Sequence, residues 1–188
     1  WTLLVYNNNT NESTKNQVTG WSIIVEYDNS TPSDPPVVTA TEYTGSSFHI
    51  DYATTTTDTL TVSESGTITD INVEISASHT YGVEYYDFKI ISPYGTVVDL
   101  VTTGTDGLNY SLTAFDDEAS QPIASGTSPY FGNFQPEGDL SDIDQEEMQG
   151  TWTLWVYRDA SNSGSITSWS ITVEYDDNTS PTVTITSS

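Results

Sequence analysis

Trp152, Leu154 and Val156 alternate with Thr153, Trp155 and Tyr157, and Trp169, Ile171, Val173 and Tyr175 alternate with Ser170, Thr172 and Glu174. A period of two sends successive side chains to opposite faces, so both runs predict half-buried strands, and Asp159 to Gly164 supplies the turn between them. Weaker alternation predicts strands at Thr59 to Val62, Thr67 to Ser76, Tyr86 to Ser92, Thr96 to Val101 and Leu108 to Ala114, separated by turn signals such as Ser92-Pro93-Tyr94-Gly95 and Thr105-Asp106-Gly107. No window carries the helical period. The expectation is all-β: an antiparallel jelly-roll β-sandwich, with an extra hairpin at its N-terminal side.

That extra hairpin follows from an internal repeat. Trp1-Thr2-Leu3-Leu4-Val5-Tyr6 recurs as Trp152-Thr153-Leu154-Trp155-Val156-Tyr157, and Trp21-Ser22-Ile23-Ile24-Val25-Glu26-Tyr27-Asp28 as Trp169-Ser170-Ile171-Thr172-Val173-Glu174-Tyr175-Asp176. The chain therefore divides into a hairpin at 1–28 that resembles the end of a preceding copy, a Ser/Thr/Pro-rich linker at 29–46 with at most a short strand near Val37 to Thr41, a sandwich at 47–177, and a tail or linker at 178–188. An isolated hairpin is marginal in water. Its expected apolar face, Trp1, Leu3, Val5, Trp21, Ile23, Val25 and Tyr27, reads as an interface. It could belong to a tandem array, add strands to the sandwich, or pack head-to-tail on the next chain and propagate a filament. A fragment boundary without meaning is the bland alternative, and the start at Trp1 suggests a processed product or a piece of something longer.

Charge narrows the partners. The 188 residues hold 27 Asp or Glu against 3 Lys or Arg, a net charge of −24. Three scattered cations cannot displace the counterions of a phosphate backbone or settle on an anionic membrane, so neither nucleic acid nor membrane insertion is expected. With 12% aromatic residues the chain can still bury a core. It has no cysteine, hence no disulfide frame and no thiolate metal site. Abundant Ser and Thr favour an extracellular or cell-surface location.

Several ordered motifs resemble one family. They are Thr61-Val62-Ser63 leading through Gly66-Thr67-Ile68-Thr69-Asp70-Ile71-Asn72-Val73, then His79-Thr80-Tyr81, Ile91-Ser92-Pro93-Tyr94-Gly95-Thr96, Phe115-Asp116-Asp117-Glu118-Ala119, Pro136-Glu137-Gly138-Asp139-Leu140, and Gly150-Thr151-Trp152-Thr153-Leu154 ending in Ser168-Trp169-Ser170-Ile171. Over residues 47 to 177 this resembles the P domain, or Homo B domain, that follows the catalytic domain of kexin- and furin-like subtilisin proteases. The resemblance implies a jelly roll and a non-catalytic role. One departure is Gly82-Val83-Glu84-Tyr85-Tyr86, where the family usually has a shorter Gly-Asp-Leu turn.

Candidate chemistry is sparse. A hydrolytic triad needs a base, and the imidazoles are His49 and His79, neither in a protease motif and with no Gly-x-Ser-x-Gly elbow, so no enzyme is expected. Calcium is the better candidate: Asp116, Asp117, Glu118, Asp142, Asp144 and Glu147 offer hard oxygens, and the resemblance points to the Asp116-Asp117 loop. Asp142-x-Asp144-x-Glu146 lacks the glycine and the twelfth-position Glu of an EF-hand. Sequons at Asn8, Asn11, Asn29, Asn109 and Asn178 fall in expected loops or linkers, where glycosylation is open to an exported protein. Carbohydrate binding by a jelly roll through exposed aromatics such as Trp155, Tyr85 and Tyr130 has no motif behind it. The expected function is a non-catalytic structural module of a surface fibre or adhesive assembly, stabilised by cations and contacting neighbouring copies of itself; the alternative is an accessory domain that stabilises a secreted subtilisin-like protease.

Overall fold

The computed structural model describes residues 38–51, 53–79, 86–102, 109–158 and 164–176. All of them lie in the compact unit Asp34–Ser188. The interface expected on the hairpin at 1–28 lies outside the described residues, as do four of the five sequons and Tyr85. Ten strands are present: β1 (Val38–Thr44), β2 (Phe48–Ile50), β3 (Thr55–Val62), β4 (Thr67–His79), β5 (Tyr86–Ile91), β6 (Val97–Val101), β7 (Asn109–Phe115), β8 (Gly132–Phe134), β9 (Gly150–Arg158) and β10 (Gly164–Asp176). One sheet runs β1-β10-β4-β7-β8 with β2 also on β10; the other runs β3-β9-β5-β6. Apart from two short 3-10 turns, Ile123–Ser125 and Leu140–Ile143, the described residues hold no helix.

The alternation that predicted the strands is the alternation of burial. Trp152, Leu154 and Val156 on β9 and Trp169, Ile171 and Val173 on β10 are buried at 0–1% exposure, facing one another across the two sheets. Two irregularities preserve this pattern where strict alternation breaks. Ile166 and Trp169 both point inward although three residues apart, because a bulge between Ile166 and Ser168 inserts one residue. A second bulge at Glu174/Tyr175 does the same for Ile68 and Ile71 on β4.

An aromatic row fills one side of the interior. Tyr86, Phe88, Tyr110, Tyr130 and Phe134 follow one another at centroid separations of 5.3, 5.2, 5.0 and 6.3 Å, with stacked and edge-on contacts alternating. Tyr130, expected on the surface, is buried to 1% exposure and belongs to this row. The Arg158 guanidinium, fully buried, lies 5.5 Å from the Tyr86 ring, the geometry of a cation–π contact.

The sandwich departs from expectation in two places. The short strand expected near Val37 to Thr41 is the seven-residue Val38–Thr44, paired along its whole length with β10, because Thr39, Thr41 and Tyr43 have an edge to pair with there. The sheet is not wholly antiparallel: β8 runs parallel to β7 through Thr113↔Gly132 and Phe115↔Phe134. Asn109 opens β7, where alternation predicted a strand, and its side chain is exposed.

Between β1 and β2 the chain crosses Trp169 at close range. Gly45 N–H donates to the Trp169 carbonyl at 3.0 Å, and a Cβ on Gly45 would sit 2.0 Å from the indole. Asp58 Oδ2 then accepts both the Ser46 N–H and the Trp169 indole N–H, each at 2.8 Å. Gly45→Ala is expected to cost about 1–3 kcal/mol through overpacking against a rigid ring. Asp58→Ala should cost about 1–3 kcal/mol by leaving the part-buried indole donor unpaired. Urea titration followed by tryptophan fluorescence measures both, and midpoints equal to the parent's would contradict this account of the crossing.

Candidate functional site

The acids gather at one end of the six-stranded sheet, around a residue that sequence reasoning passed over. Asp70 on β4 lies directly opposite Glu174 on β10, a like-charge cross-strand pair. The turn after β7 brings Asp116 and Asp117 near the same place. Burial, then Glu174, then Asp116 and Asp117 push the Asp70 carboxyl above the usual carboxylate range. Burial and then Asp70 and Asp116 raise Glu118, and burial followed by Asp70 and Asp117 raises Asp144. Asp70 thus couples four of the six candidate metal ligands. Its only signal in the sequence was its place in the strand motif Thr69-Asp70-Ile71, where an acid at an outward position reads as ordinary surface.

The local folding of these acids explains what their oxygens do. Asp116 Oδ1 accepts the Glu118 N–H at 2.8 Å, tightening the turn, and Oδ2 accepts Asn133 Nδ2–H at 3.2 Å. Asp117 accepts the N–H groups of Leu140 at 3.1 Å and Ser141 at 2.9 Å, holding the first turn of the 3-10 segment whose Leu140 and Ile143 are buried in the core. Glu147 faces elsewhere, accepting Gly66 N–H at 2.6 Å and Gln149 N–H at 3.3 Å. Asp142 is exposed on the 3-10 segment. The loop itself is sewn to strand ends: Gly138 N–H donates to Asp99 O, Glu137 N–H to Leu100 O, and Ile68 N–H to Glu146 O.

This is a structural use of carboxylates. Among the described residues no group of three or more His, Asp or Glu is arranged to hold a metal ion. A calcium ion needs six to eight oxygens; each oxygen of Asp116 and Asp117 accepts one protein donor and keeps a second lone pair free for a cation.

One other constellation invites a catalytic reading. A shallow depression of about 400 Å³ is lined by residues that include His49 and Ser165. His49 Nδ1 lies 3.5 Å from Ser165 Oγ, and His49 Nε2 lies 3.6 Å from Asp51 Oδ1. The residue types are those of a hydrolytic triad, but the distances sit at or beyond the limit of a hydrogen bond, and the His49 and Asp51 side chains are 59% and 80% exposed. Water competes for every one of these contacts, so the arrangement cannot hold a tautomer or activate the hydroxyl.

The sign of the pH dependence follows from the raised carboxyls. A group that holds its proton more tightly when folded stabilises the fold below the unfolded carboxylate pKa, and that contribution is lost as the pH rises through the folded value. Asp70→Asn is therefore expected to match the parent's melting temperature near pH 4 and exceed it at pH 7. A parallel pair of melting curves across that interval, followed by circular dichroism, would show that Asp70 is not the centre of the repulsion.

No curated protein matches this chain. Among solved structures, the chain is similar to a serine protease of Aeromonas sobria, with 18% identity and a TM-score of 0.45, over 78% of this chain and 28% of that one. The same Aeromonas sobria protease in complex with its chaperone gives 17% identity and a TM-score of 0.44, over 72% and 27%. The VP2 subviral particle of infectious bursal disease virus gives 13% identity and a TM-score of 0.45, over 82% and 38%. The chain thus spans little more than a quarter of the Aeromonas protease. The sequence model described as Proprotein convertase P-domain matches residues 68–173, more than half of the chain, with β5 to β9 whole and all but the ends of β4 and β10. The chain belongs to the proprotein convertase P-domain family, whose members are non-catalytic accessory domains of proteases.

Proposed function

We propose that this domain is the accessory P domain of a secreted subtilisin-like serine protease, and that it stabilises the catalytic domain rather than acting on substrate itself. The observation that carries this reading is the family match across residues 68–173. The fibre or adhesive reading, which rested on the repeat of the last hairpin, draws no support from the comparisons. Deleting residues 38–176 from the full-length protein is expected to reduce the yield of active protease severely and to lower its inactivation temperature. An unchanged yield and temperature would refute the accessory role, and a full-length chain containing further sandwiches but no protease domain would return the fibre reading.

Cations enter this proposal as counter-ions. The like charges around Asp70 are reduced by any bound or nearby cation, and calcium, the cation expected from the sequence, would act there on top of ionic screening. Millimolar calcium is expected to raise the melting temperature at pH 7 beyond sodium chloride of equal ionic strength. Equal effects of the two salts would leave screening alone.

A further inference from the structure

The outer face of the four-stranded sheet has a chemistry unlike the rest of this acidic chain. Strict alternation along β3 sends Thr55, Thr57, Thr59 and Thr61 outward, and the register with β9 sets Thr57 beside Trp155 and Thr59 beside Thr153. Trp155 and Tyr157, two positions apart on β9, share this face. Their rings lie 6.3 Å apart between centroids with planes only 27° from parallel, so they form one offset aromatic strip. Lys89 sits across from Trp155 on β5, its ammonium 5.4 Å from the indole centroid and paired with Asp99 on β6. The ion pair and the cross-strand contact together fix the indole from one side.

Charge separates the two outer faces. The outer face of the six-stranded sheet carries the exposed Glu42 and the half-buried Asp70, Glu74 and Glu174. The four-stranded sheet carries Asp87 and the mutually compensating Lys89 and Asp99. In a chain of net charge −24, a nearly neutral face is where an uncharged partner meets no field to overcome.

Size selects between an uncharged polymer and another protein. The four strands make a surface about 14 Å wide and about 26 Å long, on the order of 400 Å². A stable protein–protein interface takes about 800 Å² from each partner and has an apolar centre. Here the centre is an aromatic strip edged by hydroxyls on the β3 side and by Asp87 and the Lys89–Asp99 pair on the β5–β6 side, with the apolar Ile91 and Val97 confined to one end. Pyranose rings offer the complement: apolar C–H faces that lie on indole and phenol rings, and a rim of hydroxyls that exchange hydrogen bonds with threonine and carboxylate oxygens.

From this juxtaposition we infer that the β3-β9-β5-β6 face binds a neutral polysaccharide, with Trp155 and Tyr157 stacking on successive sugar rings and the threonine rows of β3 and β9 bonding their hydroxyls. Such binding lies beyond an accessory role toward a protease and does not depend on it. It would hold the domain, and whatever is joined to it, on an insoluble glycan.

The test is co-sedimentation of the 188-residue protein with microcrystalline cellulose and with chitin, with polygalacturonate as an anionic control. The expected result is depletion by at least one of the two neutral polymers that survives molar salt, because the contact is not ionic. Trp155→Ala should weaken it by about tenfold or more. Thr57→Glu, at an exposed position where the fold is indifferent, should weaken it comparably, while Asp70→Asn on the opposite face leaves it unchanged. The proposal is overturned if neither neutral polymer depletes the protein, if both Trp155→Ala and Thr57→Glu bind like the parent, or if the face instead supports a concentration-dependent dimer, seen by sedimentation velocity, that Trp155→Ala abolishes.

Discussion

Everything in this sandwich depends on the last two strands. β9 lies between β3 and β5 in one sheet, and β10 lies between β1 and β4 in the other, so each sheet is closed by a strand from the same terminal pair. Trp152 and Trp169 carry the interior of that pair, and each also anchors polar backbone: the Trp152 indole donates to Met148 O at 3.1 Å and the Trp169 indole to Asp58 Oδ2 at 2.8 Å. Neither sheet can bury its apolar face without the other, since a single layer leaves its stripe in water. Because the closing strands come last, most stabilising contacts join residues far apart in sequence, the topology in which loop-closure entropy must be overcome before burial is gained. The segment that the N-terminal residues repeat is this same closing pair, which is why the repeat was so clear in the sequence: its apolar positions serve the interior of both sheets.

The charge distribution is a second-order consequence of the same frame. Antiparallel pairing fixes which outward residues stand side by side, and here it sets Asp70 against Glu174. Asp117 is put to structural use over Leu140 and Ser141; Asp70 accepts the Asn72 side-chain N–H at 3.1 Å, yet burial and the like charge of Glu174 still outweigh its hydrogen bonds. On the other sheet the pairing sets Lys89 between Trp155 and Asp99 and leaves a face of rings and hydroxyls.

Strand existence and facing were legible because they depend on a period of two that local sequence states directly. Trp152, Leu154, Ile171 and Val173 announced their burial this way. The pieces that stayed hidden depend on partners far along the chain. β2 and β8 are three residues each, too short to show a period, and exist because β10 and β7 offer edges. Tyr130 read as a surface aromatic; only the row from Tyr86 to Phe134 makes it core. The acidic loop was legible as a loop with Leu140 and Ile143 to bury, yet the residue that organises its electrostatics, Asp70, is on a strand remote in sequence. The family resemblance, carried by ordered motifs, reached further than periodicity because it encodes those long-range pairings implicitly.

Val38 and Asp176, the first and last residues of the outermost strand pair in sheet order β1-β10, are direct register partners. The described strands therefore begin and end at one corner of the sandwich, and tension applied between Val38 and Asp176 would load the β1–β10 hydrogen bonds one after another, like a zipper opened from its end, rather than all together in shear. Loaded in that way, the sandwich would yield by shedding β1 from the sheet edge before any strand of the interior.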